Sequence, residues 1–319
     1  MNVLGIETSC DETAASVVTD GYWVRSNVVA TSLKDHAQYG GIIPEIASRR
    51  QLEFISLVVA EALQKTGLSH IDAIAVTRKP GLIGSLLVGI SFARALSFSL
   101  KKPLVEVDHI KAHIYANFLR FVQDPKSDPL PKLPAVGLVV SGGHSSLYYI
   151  RDYDDFQLIG QTRDDAAGEA FDKVARILNL GYPGGPIIDR LAKEGVNKEI
   201  RFPRASLPGT YDFSFSGVKT AVLYHVKKQE NKNFDVAKVA YAFQESVVDV
   251  LIEKCLLACR ERKVKTLLVG GGVAANSRLR EGMAHQVQQQ GIDVRFPPMA
   301  LCLDNAAMIA GLGYHLYRN

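Results

Sequence analysis

Ala135-Val136-Gly137-Leu138-Val139-Val140-Ser141-Gly142-Gly143-His144-Ser145-Ser146-Leu147-Tyr148-Tyr149-Ile150 reads as an apolar strand, a polar glycine turn and a return strand. The chain opens in the same way. Val3–Ile6 runs into the polar turn Glu7-Thr8-Ser9-Cys10-Asp11-Glu12 and returns along Thr13–Thr19. Two halves that each begin strand, polar turn, strand predict an α/β protein of two duplicated lobes. The two segments share pattern and not letters, so two unrelated hairpins remain the competing reading.

Working outward from the N-terminal hairpin, a third strand at Tyr22–Ala30 completes a meander, and a helix is expected from about Pro44 to Thr66, with the proline in its first turn. Then follow a strand at Ile71–Val76, a helix near Gly84–Leu100, a strand at Leu104–Val107 and a helix running from the histidines to about Phe121. Gln123 to Pro134 holds four prolines among charged residues and reads as a linker. Beyond Ile150 come a strand at Phe156–Gln161 and, late in the chain, a strand entering Gly270-Gly271-Gly272. The expected division is 1–122 with 300–319 as one lobe, 134–299 as the other, and 123–133 between them.

With 319 residues, 47% of them hydrophobic, the chain is long enough to bury a sizeable core. Its formal charge of +4 admits an RNA partner without arguing for one. Cys10, Cys255, Cys259 and Cys302 form no Cys-x-x-Cys pair, which fits reduced thiols. Met1-Asn2 leads directly into an apolar strand, so no secretory leader is expected. Leu82–Leu100 carries Arg94 and several Gly and Ser residues, and is expected to be a buried helix instead of a membrane span. The expected location is cytoplasmic, with no membrane partner.

The chemistry concentrates at a few places. His109 and His113 stand four apart directly after an apolar strand, a spacing that stacks two imidazoles on one helix face. They serve either as a metal-ligand pair or merely as surface or capping residues. Ile110 occupies the place where a zinc peptidase of the His-Glu-x-x-His type needs its glutamate, which disfavours that route. Asp304, before an apolar helix, is either that helix's N-cap or a third ligand. Two imidazoles and a carboxylate leave coordination positions open, which suits Fe²⁺ and also Zn²⁺. Each glycine turn alone is explained by geometry. Three polar or glycine turns, two closing apolar strands that open the halves and one later, point to a phosphate or nucleotide cleft. Asp164 and Asp165 read as acids serving a helix dipole. Asp172 lies deeper in that helix and is followed by Gly181-Tyr182-Pro183-Gly184-Gly185-Pro186 and by Asp189, an arrangement in which an acid would accept ribose hydroxyls.

Taken in order, Glu7–Thr13, Tyr39–Glu45, His109 with His113, Val140–His144, Asp164–Lys173, Tyr182–Pro186, Phe213–Thr220, Gly271–Asn276 and Asp304-Asn305 resemble the universal tRNA threonylcarbamoyladenosine transferase family, in its bacterial branch. The resemblance spans Val3 to about Gly311. It implies an actin-like ATPase, sugar kinase and Hsp70 (ASKHA) fold of two lobes around a nucleotide cleft. The implied activity is transfer of the threonylcarbamoyl group of L-threonylcarbamoyl-AMP to N6 of the adenosine beside the anticodon in tRNAs that read codons starting with A. AMP is released in the process.

By the same resemblance, His109, His113 and Asp304 hold one divalent metal per subunit, Fe²⁺ favoured over Zn²⁺. Val139, Val140, Ser141, Gly142, Gly143, Asp172, Gly185, Asp189 and Asn276 line the nucleotide cleft. The implied partners are the tRNA anticodon loop, a paralogous subunit of the same fold (TsaB) and a small P-loop ATPase (TsaE). Asp11 and Glu12 are the expected proton acceptors, with turn-forming acids as the alternative. Three places depart from the family pattern: Gln51 stands where a histidine is usual, Arg78-Lys79 precedes Pro80 in place of a glycine, and Leu303 replaces a threonine before Asp304. A metalloendopeptidase acting on glycoproteins and a small-molecule kinase or ATPase of the same fold are the rival readings.

Overall fold

The computed structural model describes residues 1–124, 129–196, 199–205, 207–229 and 234–318. It divides into two compact units, one of Met1–Pro131 with Pro297–Asn319 and one of Lys132–Phe296. Residues 125–128 of the expected linker lie outside the described residues.

In the first unit, β1 (Asn2–Glu7), β2 (Glu12–Thr19) and β3 (Trp23–Thr31) form the antiparallel meander. The chain continues through α1 (Leu33–Ala37), α2 (Pro44–Leu63), β4 (Ala73–Lys79), α3 (Ile83–Leu100), β5 (Leu104–Asp108), α4 (His109–Tyr115) and the short β6 (Arg120–Phe121). The sheet order is β5-β4-β1-β2-β3-β6, with β4 and β5 parallel to β1. β1 is buried from Val3 to Glu7, so it reads as a continuous apolar run instead of an alternating one, as a strand covered on both faces must. α2 buries Ala47, Gln51, Ile55, Val58, Val59 and Ala62, one stripe at helical spacing, against β2, β3 and α3.

Two expectations change here. The histidine helix stops at Tyr115 and not near Phe121, because the next residues tighten into a 3₁₀ turn and Arg120-Phe121 then pair in parallel with Trp23-Val24. α3 is also less buried than its composition suggests. It seats Ser85, Gly89 and Ala93 inward, while Ile83, Leu87 and Phe98 stay exposed. By length and composition alone it is long and apolar enough to cross a membrane, but only 22% of it is buried.

The second unit starts with β7 (Ala135–Val140), β8 (Ser145–Ile150) and β9 (Phe156–Gln161), again an antiparallel meander, paired from Ala135 with Ile150 to Val140 with Ser145. Then come α5 (Ala167–Ile177), α6 (Gly184–Glu194), α7 (Ser216–Lys228), α8 (Val236–Arg262), β10 (Thr266–Gly270), α9 (Ser277–Gly282) and β11 (Asp293–Arg295). The sheet order is β11-β10-β7-β8-β9, with β10 and β11 parallel to their neighbours. Strand for strand this repeats β5-β4-β1-β2-β3, so the duplication lies in topology and direction as well as in the opening hairpins.

The chain then returns to the first unit as α10 (Ala306–Arg318), buried from Ala306 to Tyr314 and laid against β1, β2 and β4. Its N-cap is Asn305, whose Oδ1 accepts from the Met308 N–H at 3.1 Å. The capping role considered for Asp304 therefore falls one residue later, and Asp304 is left for other work.

Candidate functional site

β5 ends at Asp108, whose side chain accepts from the backbone N–H groups of Ile110 and Lys111 and so starts α4. That cap fixes the phase of the helix, and His109 and His113 follow on one face with ring centroids 4.6 Å apart. The turn preceding α10 brings Asp304 to them. Its Oδ1 lies 3.1 Å from His113 Nε2 and 3.6 Å from His109 Nε2. One ligand atom from each of the three residues lies within 4.8 Å of the others. Both histidines are buried, and beyond the Asp304 carboxylate facing its Nε2, His113 has no hydrogen-bond partner among the described residues. A buried imidazole left unmatched beside a carboxylate is costly as a plain core residue and natural as a ligand, so the donor set fits a divalent metal. The surface or capping reading of the pair does not survive this burial.

The turn between β1 and β2 flanks the same cluster, and its backbone is tied down along its length. The Gln51 amide nitrogen donates to Thr8 O, Cys10 O and Glu12 O, Leu82 N–H donates to Ser9 O, and the Ser32 N–H and hydroxyl both donate to Asp11 O. Gly81 sits so close that a Cβ there would stand 2.6 Å from Ser9 O. At the head of this turn Glu7, with no exposed surface, lies 3.0 Å by its Oε2 from His109 Nδ1. It also accepts from the Thr77 hydroxyl and the Ser9 N–H.

Charge is crowded here. Burial opposes a charged His109, but Glu7 and Asp304 outweigh it and raise the imidazole to about 9. Burial, with Asp304 and Asp11 nearby, pushes the Glu12 carboxyl well above the usual range. Burial and the same carboxylates raise the Cys10 thiol too, so a free thiolate nucleophile is disfavoured in this turn. A cation placed among these groups would relieve the repulsion between the acids.

The remaining residues form a circuit within the second unit. Ser141 O accepts from the Gly168 N–H near the start of α5. Asp172 Oδ1, one turn further on, accepts from the Gly184 N–H at 2.7 Å, joining α5 to the start of α6. Asp189 accepts from both the N–H and the hydroxyl of Ser277, joining α6 to α9. Asn276 caps α9 through Leu279 N–H and donates to Gln244. Gly271, at φ +91°, closes the circuit, since a Cβ there would lie 2.4 Å from Val140 O. Val139 and Val140 are buried strand residues, while Gly142, Gly143 and Gly185 have open space beside them. Burial raises Asp172 despite the N–H groups of Gly184 and Gly185.

Asp164 does not serve the helix it precedes, and Asp165 meets that helix only through the Lys173 side chain. Asp164 accepts from the Phe215 and Ser216 N–H groups and caps α7, and Asp165 pairs with Lys173 and Lys219. The later glycine run enters a 3₁₀ turn, Gly272–Ala275, before α9 begins at Ser277. Sequence reasoning gave no role to Glu7 or Thr77. The available signal was an acid ending a strand that is otherwise wholly apolar.

A model of the tRNA N6-adenosine threonylcarbamoyltransferase family matches residues 23–311. The chain is 53% identical to a tRNA N6-adenosine threonylcarbamoyltransferase of Syntrophus aciditrophicus (strain SB), over 99% of this chain and 92% of that one. Among solved structures it is similar to component A of (R)-2-hydroxyglutaryl-CoA dehydratase from Acidaminococcus fermentans, with TM-score 0.56, 17% identity and full coverage of both chains. It also resembles HypF of T. kodakarensis, with TM-score 0.64 and 17% identity over 99% of this chain and 48% of that one. The fold is that of the actin-like ATPases, and the chain belongs to the tRNA N6-adenosine threonylcarbamoyltransferase family.

Proposed function

We propose that the protein transfers the threonylcarbamoyl group of L-threonylcarbamoyl-AMP to N6 of the adenosine beside the anticodon of tRNA. One observation carries this reading: in a chain of this family, His109, His113 and Asp304 gather beside the anchored acids of the β1–β2 turn. The donor is a mixed anhydride with a good leaving group, so the protein's task is to orient the carbonyl, stabilise developing negative charge and accept a proton from the amine. A metal bound by the three residues would supply Lewis acidity and an anchor for the donor. The donor set suits Fe²⁺ and Zn²⁺ alike, and the family resemblance favours Fe²⁺, one ion per chain. Asp11 and Glu12 would accept the amine proton, Glu12 once a cation among these acids offsets the burial and repulsion that keep its carboxyl protonated. The adenylate is held by Val139 to Gly143, Asp172, Gly185, Asp189 and Asn276. Gly142, Gly143 and Gly185 leave backbone open to a phosphate, which supports that assignment. An adenine in a single-stranded loop is the acceptor that costs least to expose.

The reading includes a cytoplasmic setting and two protein partners, a paralogous subunit of the same fold and a small P-loop ATPase. The apolar residues Leu52 and Leu57 on α2 and Ile83, Leu87 and Phe98 on α3 stand exposed, which supports a helical partner on those helices. The test is nucleoside mass spectrometry of unmodified tRNA incubated with this protein, L-threonylcarbamoyl-AMP and the two partners. Threonylcarbamoyladenosine should form with the intact protein and not with His109→Ala/His113→Ala. Absence of product from folded, metal-loaded protein would move the function toward a kinase-like ATPase, which sugar-stimulated ATP turnover would reveal.

A further inference from the structure

β1 is apolar through Ile6 and then ends in an acid with no exposed surface. A carboxylate so placed is tolerable only when its lone pairs are matched. For Glu7 they are matched by donors. The Thr77 hydroxyl donates to Oε2 at 2.5 Å, and the Ser9 N–H donates to Oε1. The third neighbour, His109 Nδ1, stands 3.0 Å from Oε2. His109 Nδ1 also lies 3.2 Å from the Ser9 hydroxyl, and toward a carboxylate oxygen that already accepts from Thr77 it makes a hydrogen bond by donating, which places the proton on Nδ1. The Nε2 lone pair is then the one available for a ligand bond, and Nε2 is the atom that faces Asp304.

We propose that Glu7 is the positioning residue of the metal centre: its carboxylate holds His109 in the Nδ1–H form and fixes the ring so that Nε2 is the ligand atom. The inference rests on the metal reading given above. It makes the two imidazoles unequal. His109 is oriented by a buried carboxylate that is itself braced from β4 by Thr77, whereas His113 Nδ1 has no such partner among the described residues and its Nε2 faces only Asp304, at 3.1 Å. A carboxylate behind a ligating imidazole also raises its basicity, which strengthens the bond to the ion.

The test uses the full chain and Zn²⁺ as the probe, titrated against a chromophoric chelator, with ¹⁵N–¹H spectra of the imidazoles in the zinc-loaded protein. In the wild type, the spectra should show His109 protonated at Nδ1 and bound through Nε2. Glu7→Gln presents an amide that can donate toward Nδ1 and favours the wrong tautomer. It should weaken zinc binding by about 10- to 100-fold, the usual cost of losing such an outer partner, and abolish the Nδ1–H signal. Thr77→Val, which only unbraces the carboxylate, should weaken binding less and in the same direction. Wild-type zinc affinity in Glu7→Gln with the Nδ1 proton retained overturns the proposal, as does ligation of His109 through Nδ1. Should Glu7→Gln not fold, the wild-type tautomer and Thr77→Val decide. A wild type that binds no zinc and no Fe²⁺ would instead overturn the metal reading itself, a result distinct from intact binding that ignores Glu7.

Discussion

The turn after β1 and the turn after β7 occupy the same place in two sheets of the same strand order, yet they are built in opposite ways. In the first, residues 7–12, backbone carbonyls are bound by Gln51, Ser32 and Leu82, and the turn carries three acidic side chains, Glu7, Asp11 and Glu12. In the second, Ser141 to His144, side chains are pared away and Gly142 and Gly143 leave the backbone itself accessible. Each turn is abutted by a glycine that follows the neighbouring parallel strand, Gly81 against Ser9 and Gly271 against Val140. A duplicated scaffold thus offers two kinds of surface at equivalent positions, one of carboxylates suited to a cation and one of exposed amide groups suited to an anion.

That contrast can be broken from either side. The largest expected effect is loss of the cation surface. Asp304→Ala or His113→Ala should reduce metal affinity by more than the roughly 100-fold attached to an outer partner, measured by chelator competition, while the fold survives by circular dichroism. Next comes the glycine abutment in the second unit. Gly271→Ala places a Cβ against Val140 O at a φ that L residues rarely adopt, and should cost about 1–3 kcal/mol in urea unfolding. Gly142→Ala, with open space around it, should change stability by less than about 0.5 kcal/mol. Equal effects at the two positions would dissolve the distinction between packing glycine and surface glycine.

Smaller again is the clamp. Gln51→Leu keeps the volume and removes the donors to Thr8 O and Glu12 O, at a cost of about 1–2 kcal/mol. It should lower transfer activity beyond what the stability change explains, read as turnover at matched folded fraction. The smallest effect sharpens the comparison through pH. Burial pushes Glu12 up, whereas Asp164 in the second unit, though burial opposes it, is held below the usual carboxylate range by Ser214, Ser216 and the Phe215 N–H. A depressed folded value means that Asp164 stabilises above its unfolded value near 4 and that this contribution fades as pH falls through the folded one. Asp164→Asn should therefore lower stability slightly at pH 7, by less than about 1 kcal/mol given its exposure, and match the wild type near pH 2, as urea unfolding at the two pH values will read.

Much of this was readable before any coordinates. The β7–β8 hairpin and the histidine pair depend on neighbours a few residues away, and period-two and i,i+4 patterns report such neighbours directly. What escaped depends on distance along the chain. Asp304 and Asn305 are equally good caps on paper, and only the path of α10 assigns the cap to Asn305 and the cluster to Asp304. Asp164 finds its partners about fifty residues downstream, at the start of α7, so no local pattern could separate it from an acid serving its own helix. Gln51 looked like a departure in the middle of α2, and its reach to three carbonyls of the first turn is visible only once the helix lies on the sheet.

α10 carries one more consequence. The first unit is assembled from two stretches of chain that flank the second, with the helix Ala306–Arg318 covering a sheet begun at Asn2. During synthesis the strands, the clamped turn and both histidines emerge before the second unit, but the strip that covers β1 and delivers Asp304 is translated after it. A nascent chain therefore waits through the whole second unit with two imidazoles and no carboxylate to join them. A nonsense codon anywhere before Asp304 yields a product that lacks both the covering helix and the third donor, so one stretch of chain completes the packing and the His-His-Asp cluster together.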